Sequence, residues 1–415
     1  MLGVMLESTT KTKTAMPGAA GASPTIVIGA GGTGGHIYPG LALAEALREA
    51  VPAAQIIFTG TERGMERRLI PAAGFQLRTF DMIPFAGRSR YLLPAALARA
   101  SLQARSLLRL LGADVAIGMG GYSSAPLIAG ARLAGVPSLI HESNAVPGRA
   151  NRFSARLTPN VAVAFEASVP HFGGVRDYRV VGMPLMPGLA AFDRAALRDR
   201  ARRRFGVNAD TCLVMVNGGS QGATRLNEAA VELAARWRNR DDLRIVVKAG
   251  QEGSGELNMR LAAAGARRIA TAVDHIDRMD LAYAAADLMV CRAGSATVAE
   301  LGRVGLPAVL VPYPYAPHDH QARNARVLVD RDAAVLLPDA ELGAGPSTGP
   351  GAGSGAGSGV GAAAGAERLG EVLGPLIADP ALRDRMGAAA RTTGRDEAAS
   401  RLAGWVLELI DKGDR

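Results

Sequence analysis

The sequence predicts an α/β protein made of two doubly wound parallel sheets that face each other across a cleft. Three observations point there. Short apolar, β-branched runs alternate with helical stretches along most of the chain. A glycine-rich loop follows a strand and opens a helix twice, at Gly29–Gly35 and again at Gly218–Gly222. Finally, 415 residues, 48% of them hydrophobic, exceed one ordinary domain and can bury two cores.

The first unit is placed at residues 24–180. Thr25–Gly29 reads Thr-Ile-Val-Ile-Gly, the continuous apolar run of a strand covered on both faces. The loop to Gly35 follows, then a helix over Leu41–Ala50. Further strands are expected at Gln55–Thr59, Val115–Gly118 and Ser138–His141. The second unit, residues 185–395, restarts the pattern at Cys212–Asn217, passes through Gly218–Ala223 and enters a helix from Thr224 to about Arg238. Its later strands are expected at Arg244–Lys248, Asp287–Cys291, Ala308–Val311 and Ala334–Leu337. Residues 343–366 hold only Gly, Ala, Ser, Pro, Thr and one Val without periodicity, the composition of a flexible insertion. Helices are expected at Glu367–Ala378 and Pro380–Thr392. The final segment, 396–415, carries an amphipathic helix over Glu397–Lys412, expected to pack back on the first unit. Residues 1–23 lack the apolar core of a secretory signal and read as a disordered extension.

A formal charge of +9 and a pI near 10.0 favour a polyanionic partner: nucleic acid, anionic lipid or a phosphorylated substrate. Nucleic acid is disfavoured because aromatic residues, the stacking platforms for bases, make up only 4%. Between Met82 and Leu111 the chain carries Arg88, Arg90, Arg99, Arg105 and Arg109, no acidic residue, and leucines between them. Such a segment can rest on an anionic bilayer or be a core helix with a basic outer face. No apolar run approaches the roughly 18 residues that would span a membrane. The two cysteines, Cys212 and Cys291, lie in strand-like runs and read as small buried hydrophobes in a reducing compartment.

The chemistry-bearing motifs fall at the carboxyl ends of strands, where doubly wound sheets bind ligands. Gly29, Gly31 and Gly34 spell a G-x-G-x-x-G. The dinucleotide reading weakens because the second strand ends Thr59-Gly60-Thr61 with Glu62 only slightly beyond, leaving no acid in place for a ribose. What remains is a set of backbone N–H groups at a helix start, suited to an anion. His36 closes the loop, a candidate general base or a structural histidine. The second loop adds the hydroxyl of Ser220. A third turn, from Arg292 to Glu300, offers Ser295 as N-cap and Glu300 one turn and a half on. That span suits a diphosphate at the helix tip and a ribose on the carboxylate. The clusters at His141–Asn144 and His318–Gln321 fall short of a zinc ligand set. Asp330–Asp332 reads as a solvated turn.

Taken together, these residues resemble the MurG family, the peripheral-membrane N-acetylglucosaminyltransferases of peptidoglycan synthesis. The matching stretches are GAGGTGGHIYPGLALAEAL from Gly29, GMGGYSSAP from Gly118, HESNAVPGRANR from His141, NGGSQGATRLN from Asn217, CRAGSATVAELGRVGLPAVLVPYP from Cys291 and HDHQARNA from His318. The resemblance implies the GT-B fold and transfer of GlcNAc from UDP-GlcNAc to the muramyl C4 hydroxyl of lipid I, giving lipid II. Inversion at the anomeric carbon, no metal, no cofactor, and a place on the cytoplasmic face of the inner membrane come with it. It further implies that Thr33, Gly34 and Gly35 approach the transferred sugar and that Asn144 binds it. Ser220 would contact the diphosphate and Ile276 the uracil. Ser295, Ala296, Thr297, Val298, Ala299 and Glu300 would hold phosphates and ribose, Gln321 the sugar hydroxyls, and His36 would be the base. One departure stands out. Where the family commonly has Asn-Pro-x-Arg, this chain reads Gly182-Met183-Pro184-Leu185-Met186, so Met186 replaces a donor-contacting arginine. A UDP-GlcNAc epimerase on the same fold and a noncatalytic recruiting module are the alternatives.

Overall fold

Residues alternate between two cores along the central strand of each sheet, and this alternation places the strands in the middle of three-layer units. Ile26 and Ile28 point into one apolar cluster and Val27 into another, and in the second half Leu213 and Met215 oppose Val214 and Val216 in the same way. Helices must therefore cover both faces of each sheet. The computed structural model describes residues 23–62, 64–80, 93–175, 177–219, 222–250, 253–343 and 359–413. The expectations for the N-terminal extension up to residue 22, for Arg88 and Arg90, for Ser220 and for positions 344–358 of the insertion lie outside the described residues.

The first sheet contains β1 (Thr25–Gly29), β2 (Gln55–Thr61), β3 (Gln76–Phe80), β4 (Val115–Gly118), β5 (Ser138–Glu142), β6 (Asn160–Val163) and β7 (Asp177–Val180). The spatial order is β3-β2-β1-β4-β5-β6-β7, with every pair parallel. The second contains β8 (Cys212–Asn217), β9 (Leu243–Lys248), β10 (Ala270–Val273), β11 (Leu288–Cys291), β12 (Ala308–Leu310) and β13 (Ala334–Leu336), in the order β10-β9-β8-β11-β12-β13, again parallel. Each order reverses beside its first strand, at β1/β4 and at β8/β11, and a crevice opens at such a reversal.

Around the first sheet run α1 (Gly34–Ala50), α2 (Glu66–Ala72), α3 (Leu93–Leu111), α4 (Ser124–Ala134) and α5 (Arg149–Ser154). The chain then passes through α6 (Pro187–Ala190) and α7 (Arg194–Arg204) to α8 (Thr224–Arg236), α9 (Ser254–Ala263), α10 (Met279–Ala285), α11 (Ser295–Val304) and α12 (His320–Val329). It ends with α13 (Gly359–Ala378), α14 (Pro380–Arg391) and α15 (Ala398–Gly413). The last helix returns to the first unit: Leu402, Trp405, Val406 and Leu409 join the core around Ile26 and Leu43. Arg179 holds it there, with both Nη atoms on the Glu408 carboxylate at 3.1 and 2.8 Å and its guanidinium 4.4 Å from the Trp405 ring centre. A buried aromatic or leucine contributes roughly 1.5–3 kcal/mol, so this apolar face outweighs the exposed ion pair.

Several elements differ from the sequence expectation. Helix α1 starts at Gly34 rather than Leu41, because Ile37, Leu41 and Ala44 are buried together at helical spacing and carry the glycines and Pro39 into the helix. The strands β3 (Gln-Leu-Arg-Thr-Phe) and β7 (Asp-Tyr-Arg-Val) are too polar to read as buried strands, and β6 and β10 are only four residues long, too short to stand out from their surroundings. Helix α13 begins eight residues before the expected Glu367, inside the stretch read as a flexible insertion. Alanine has high helix propensity, and packing on α8 orders it, with Ala366 fully buried. Helix α3 lies on α4 through Ala100, Ala104 and Leu108, and Gly130 makes the approach possible, since a Cβ there would sit 2.6 Å from that of Ala104. Its outer face leaves Arg99, Leu102, Arg109 and Leu110 exposed. Among the described residues no helix is long and apolar enough to cross a membrane. Both cysteines are buried and unpaired.

Candidate active site

The first glycine loop rests on a buried carboxylate. Glu66 is fully buried and accepts hydrogen bonds from the N–H of Gly32 (3.1 Å), the N–H of Thr61 (2.8 Å) and the Thr61 hydroxyl (2.7 Å). Burial pushes its pKa up, but these donors outweigh that and hold it below the ordinary carboxylate value. Of the N–H groups that the sequence offered to an anion on this loop, that of Gly32 is occupied, and a fixed negative charge lies underneath. No side chain caps α1, whose N-cap Thr33 is extended and exposed.

His36 stands in the first turn of α1. Its Nδ1 is 3.4 Å from the Thr33 hydroxyl, and its ring lies against Gly120 and Gly121. Both glycines have left-handed φ, +93° and +80°, and a Cβ on Gly120 would come within 2.9 Å of the imidazole. Any side chain there would evict the ring. Burial lowers the His36 pKa, a hydrogen bond with the Gly31 backbone opposes this, and the nearby His320 lowers it further. The imidazole is therefore neutral at pH 7. His320 belongs to the second unit, so the fold brings together histidines that are far apart in the chain.

Asn144 is fixed by its neighbour. The buried Glu142 accepts from the Asn144 N–H (2.8 Å) and side-chain amide (3.0 Å), from the Gly148 N–H (3.1 Å) and from Asn151 (2.9 Å). From the opposite unit, Asn324 reaches across: its Nδ2 donates to Asn144 Oδ1 at 3.2 Å and its Oδ1 accepts from the Ala145 N–H at 2.8 Å. Gln321, one turn earlier on α12, accepts from the Tyr313 N–H at 2.9 Å. Sequence reasoning passed over Glu66 and Asn324, and weighed Glu142 only as part of a metal-ligand cluster. Asn324 was open to discovery, because residues three apart on a helix share a face and it follows Gln321 at that spacing.

On the second unit, α11 begins at Ser295 with Gly294 in the cap position and no side-chain cap. This corrects the expectation of Ser295 as N-cap, and it leaves the first turn to a ligand. Ala296 and Thr297 are partly exposed there, as is Ala299. Val298 turns into the core and gives its N–H to the Gly294 carbonyl at 3.0 Å, so it offers a ligand neither group. Glu300 accepts a 2.6 Å hydrogen bond from the buried Tyr283 hydroxyl. Burial raises its pKa to about 7, against the lowering effect of that bond. Ile276 follows β10 and is 8% exposed. In the second glycine loop Asn217 Oδ1 accepts from the Gly219 N–H at 2.9 Å. Met186 caps α6 through its backbone and packs partly on the first core.

A cavity of about 410 Å³ lined by Arg194, Arg198, Asp287 and Arg383 lies at the opposite, amino ends of the strands of the second sheet. Its charges are structural: Arg194, Arg198 and Arg202 donate to the carbonyls of Ala286, Ala284 and Ala285 at the end of α10, and the last two also to Asp287.

Two facing doubly wound units with uncapped helix starts at the cleft define the GT-B fold, and the matching family models make the chain a glycosyltransferase. Residues 26–163 match the glycosyltransferase family 28 N-terminal domain and residues 213–345 the family 28 C-terminal domain. A UDP-N-acetylglucosamine–N-acetylmuramyl-(pentapeptide) pyrophosphoryl-undecaprenol N-acetylglucosamine transferase of a Nocardioides species is 37% identical over 387 residues, covering 92% of this chain and 98% of its own. That of Streptomyces coelicolor is 37% identical over 388 residues, covering 93% and 98%. Among solved structures, Acinetobacter baumannii MurG superposes with a TM-score of 0.71 at 26% identity, over 93% of this chain and 99% of that one. The calicheamicin glycosyltransferase CalG4 shares the fold, with a TM-score of 0.60 at 16% identity over 94% and 99%. The chain belongs to the MurG family.

Proposed function

We propose that this enzyme transfers GlcNAc from UDP-GlcNAc to the C4 hydroxyl of the MurNAc of lipid I, forming lipid II, with inversion and without a metal ion. The observation that carries the reading is the meeting of residues from both units at one cleft: His36 and Asn144 from the first, His320, Gln321 and Asn324 from the second. A sugar held between Asn144 and Gln321 would lie beside His36. The neutral imidazole would take the proton of the C4 hydroxyl as its oxygen attacks the sugar C1. The bond from C1 to the diphosphate oxygen breaks in the same displacement, which inverts the carbon. Charge developing on the departing UDP meets the uncapped N–H groups of α11, and Glu300 holds the ribose hydroxyls.

The outer face of α3, with Arg99 and Arg109 beside exposed Leu102 and Leu110, supports a peripheral place on an anionic bilayer at the cytoplasmic face of the membrane. UDP release on mixing the purified protein with UDP-GlcNAc tests the reading. It should require a lipid I analogue, proceed in EDTA and yield a β-linked product. Conversion of UDP-GlcNAc without an acceptor would mark an epimerase instead.

A further inference from the structure

Among the described residues, Lys248 is a buried cation with no anion beside it. It ends β9, is 8% exposed, and its Nζ donates to the Gly219 carbonyl at 3.1 Å. Among the described residues no carboxylate lies within ion-pair distance of it. An ammonium has three N–H donors, so two remain for another acceptor. Removing such a charge from water is costly unless an opposite charge compensates it, and burial indeed lowers the Lys248 pKa. Buried cations of this kind pair with a side chain or with a ligand.

The topology shows which ligand could reach it. β9 lies between β10 and β8, in register with Asn217 at the end of β8. Ile276 follows β10, the glycine loop follows β8, and the uncapped start of α11 follows β11, the next strand over. The carboxyl end of β9 is therefore flanked by the segment proposed for the uracil on one side and by the two phosphate-facing turns on the other. The equivalent strand of the first unit, β2, is followed by Glu66, which bonds the first loop with a negative charge. The two loops thus have buried charges of opposite sign beneath them, and the cation lies under the second.

We propose that Lys248 is the counter-charge of the donor's diphosphate, reaching a nucleoside diphosphate from beneath the second glycine loop. This rests on the donor site proposed above. Titration calorimetry on the full chain with UDP and with uridine tests it. Lys248→Met should weaken UDP binding by about 10- to 100-fold, the range of one charge-assisted hydrogen bond, and leave uridine binding within twofold. Lys248→Gln keeps a donor for the Gly219 carbonyl but no charge, so it should show the same selective loss, whereas Lys248→Arg should retain most of the affinity. Rescue by glutamine, equal losses for UDP and uridine, or unchanged UDP binding in Lys248→Met would each overturn the proposal. Glu300→Ala keeps the two readings apart: if it weakens both UDP and uridine while Lys248→Met weakens neither, the donor site stands and Lys248 does not belong to it. A wild-type chain that fails to bind UDP removes the donor site itself.

Discussion

The two glycine loops of this glycosyltransferase share a place in the fold and differ in what lies beneath them. Under the first, a carboxylate gathers the N–H of Gly32 and both donors of Thr61; under the second, an ammonium holds the carbonyl of Gly219. A buried charge fixes the backbone groups it bonds, and it also sets the sign of what is tolerated nearby. The first loop is thereby fixed at Gly32, four residues before His36. The second suits the charged end of a nucleotide. Sequence similarity between glycine loops does not carry this distinction, because neither charge belongs to the loop.

The largest expected effect separates the chemistry of the first loop from the binding of the second. His36→Ala should lower kcat by about 100- to 10,000-fold, the usual share of a positioned base, with UDP affinity unchanged by calorimetry. Proportional losses in both would make His36 a placement residue. The wild-type kcat/KM should fall on the acid side of pH 6.5, where the imidazole takes up a proton, because its pKa in the folded chain lies below that value.

Glu66→Gln should come next. It keeps the shape but turns an acceptor into a donor beside Gly32 and Thr61, which costs about 1–3 kcal/mol for each group left unsatisfied. Turnover should drop at least tenfold with UDP affinity retained; equal damage to UDP binding would erase the division of labour between the loops. The sign with pH follows from a depressed carboxylate. Its stabilisation is complete above the ordinary value of 4.5 and is lost as pH falls through the lower folded pKa. Acid denaturation of Glu66→Gln should therefore be less steep than that of the wild type, as followed by circular dichroism.

On the second unit, Glu300→Ala should weaken UDP-GlcNAc binding about 10- to 100-fold if its carboxylate accepts the ribose hydroxyls. With its pKa at about 7, donor affinity should fall as pH drops through that value, since the neutral acid is the poorer acceptor. The Tyr283 hydroxyl lowers that pKa, so Tyr283→Phe should move the acid limb of donor binding upward and weaken it a few-fold near neutrality. An unmoved limb would detach Tyr283 from the ribose site. The smallest effect is a control outside the cleft. Asp193 caps α7 by accepting from the Ala196 N–H at 3.1 Å, and Asp193→Ala should cost about 0.5–2 kcal/mol of stability with no change in donor affinity.

Much of the architecture was legible in the chain. β1, β4 and β8 fall on the predicted residues because apolar runs covered on both faces leave little ambiguity. The start of α1 was hidden by glycines and Pro39, and that of α13 by an alanine–glycine composition that only its packing on α8 makes helical. At the cleft, His36, Asn144, Glu300 and Gln321 carry motif context, whereas Glu66 and Lys248 look in the sequence like ordinary charges in a helix and at a strand end.

The order of residues alone determined the two restarts of the strand–loop–helix pattern and the motifs that carry the family resemblance, since these depend on neighbours a few positions apart. The tertiary structure decided the rest: Glu66 under a loop 34 residues away, Lys248 under one 29 residues away, and Asn324 bonded across 180 residues to Asn144. Each of those contacts depends on burial and on sheet order. Burial and strand neighbours arise only when the units close on their cores, and that closure turns surface-looking charges into parts of a site.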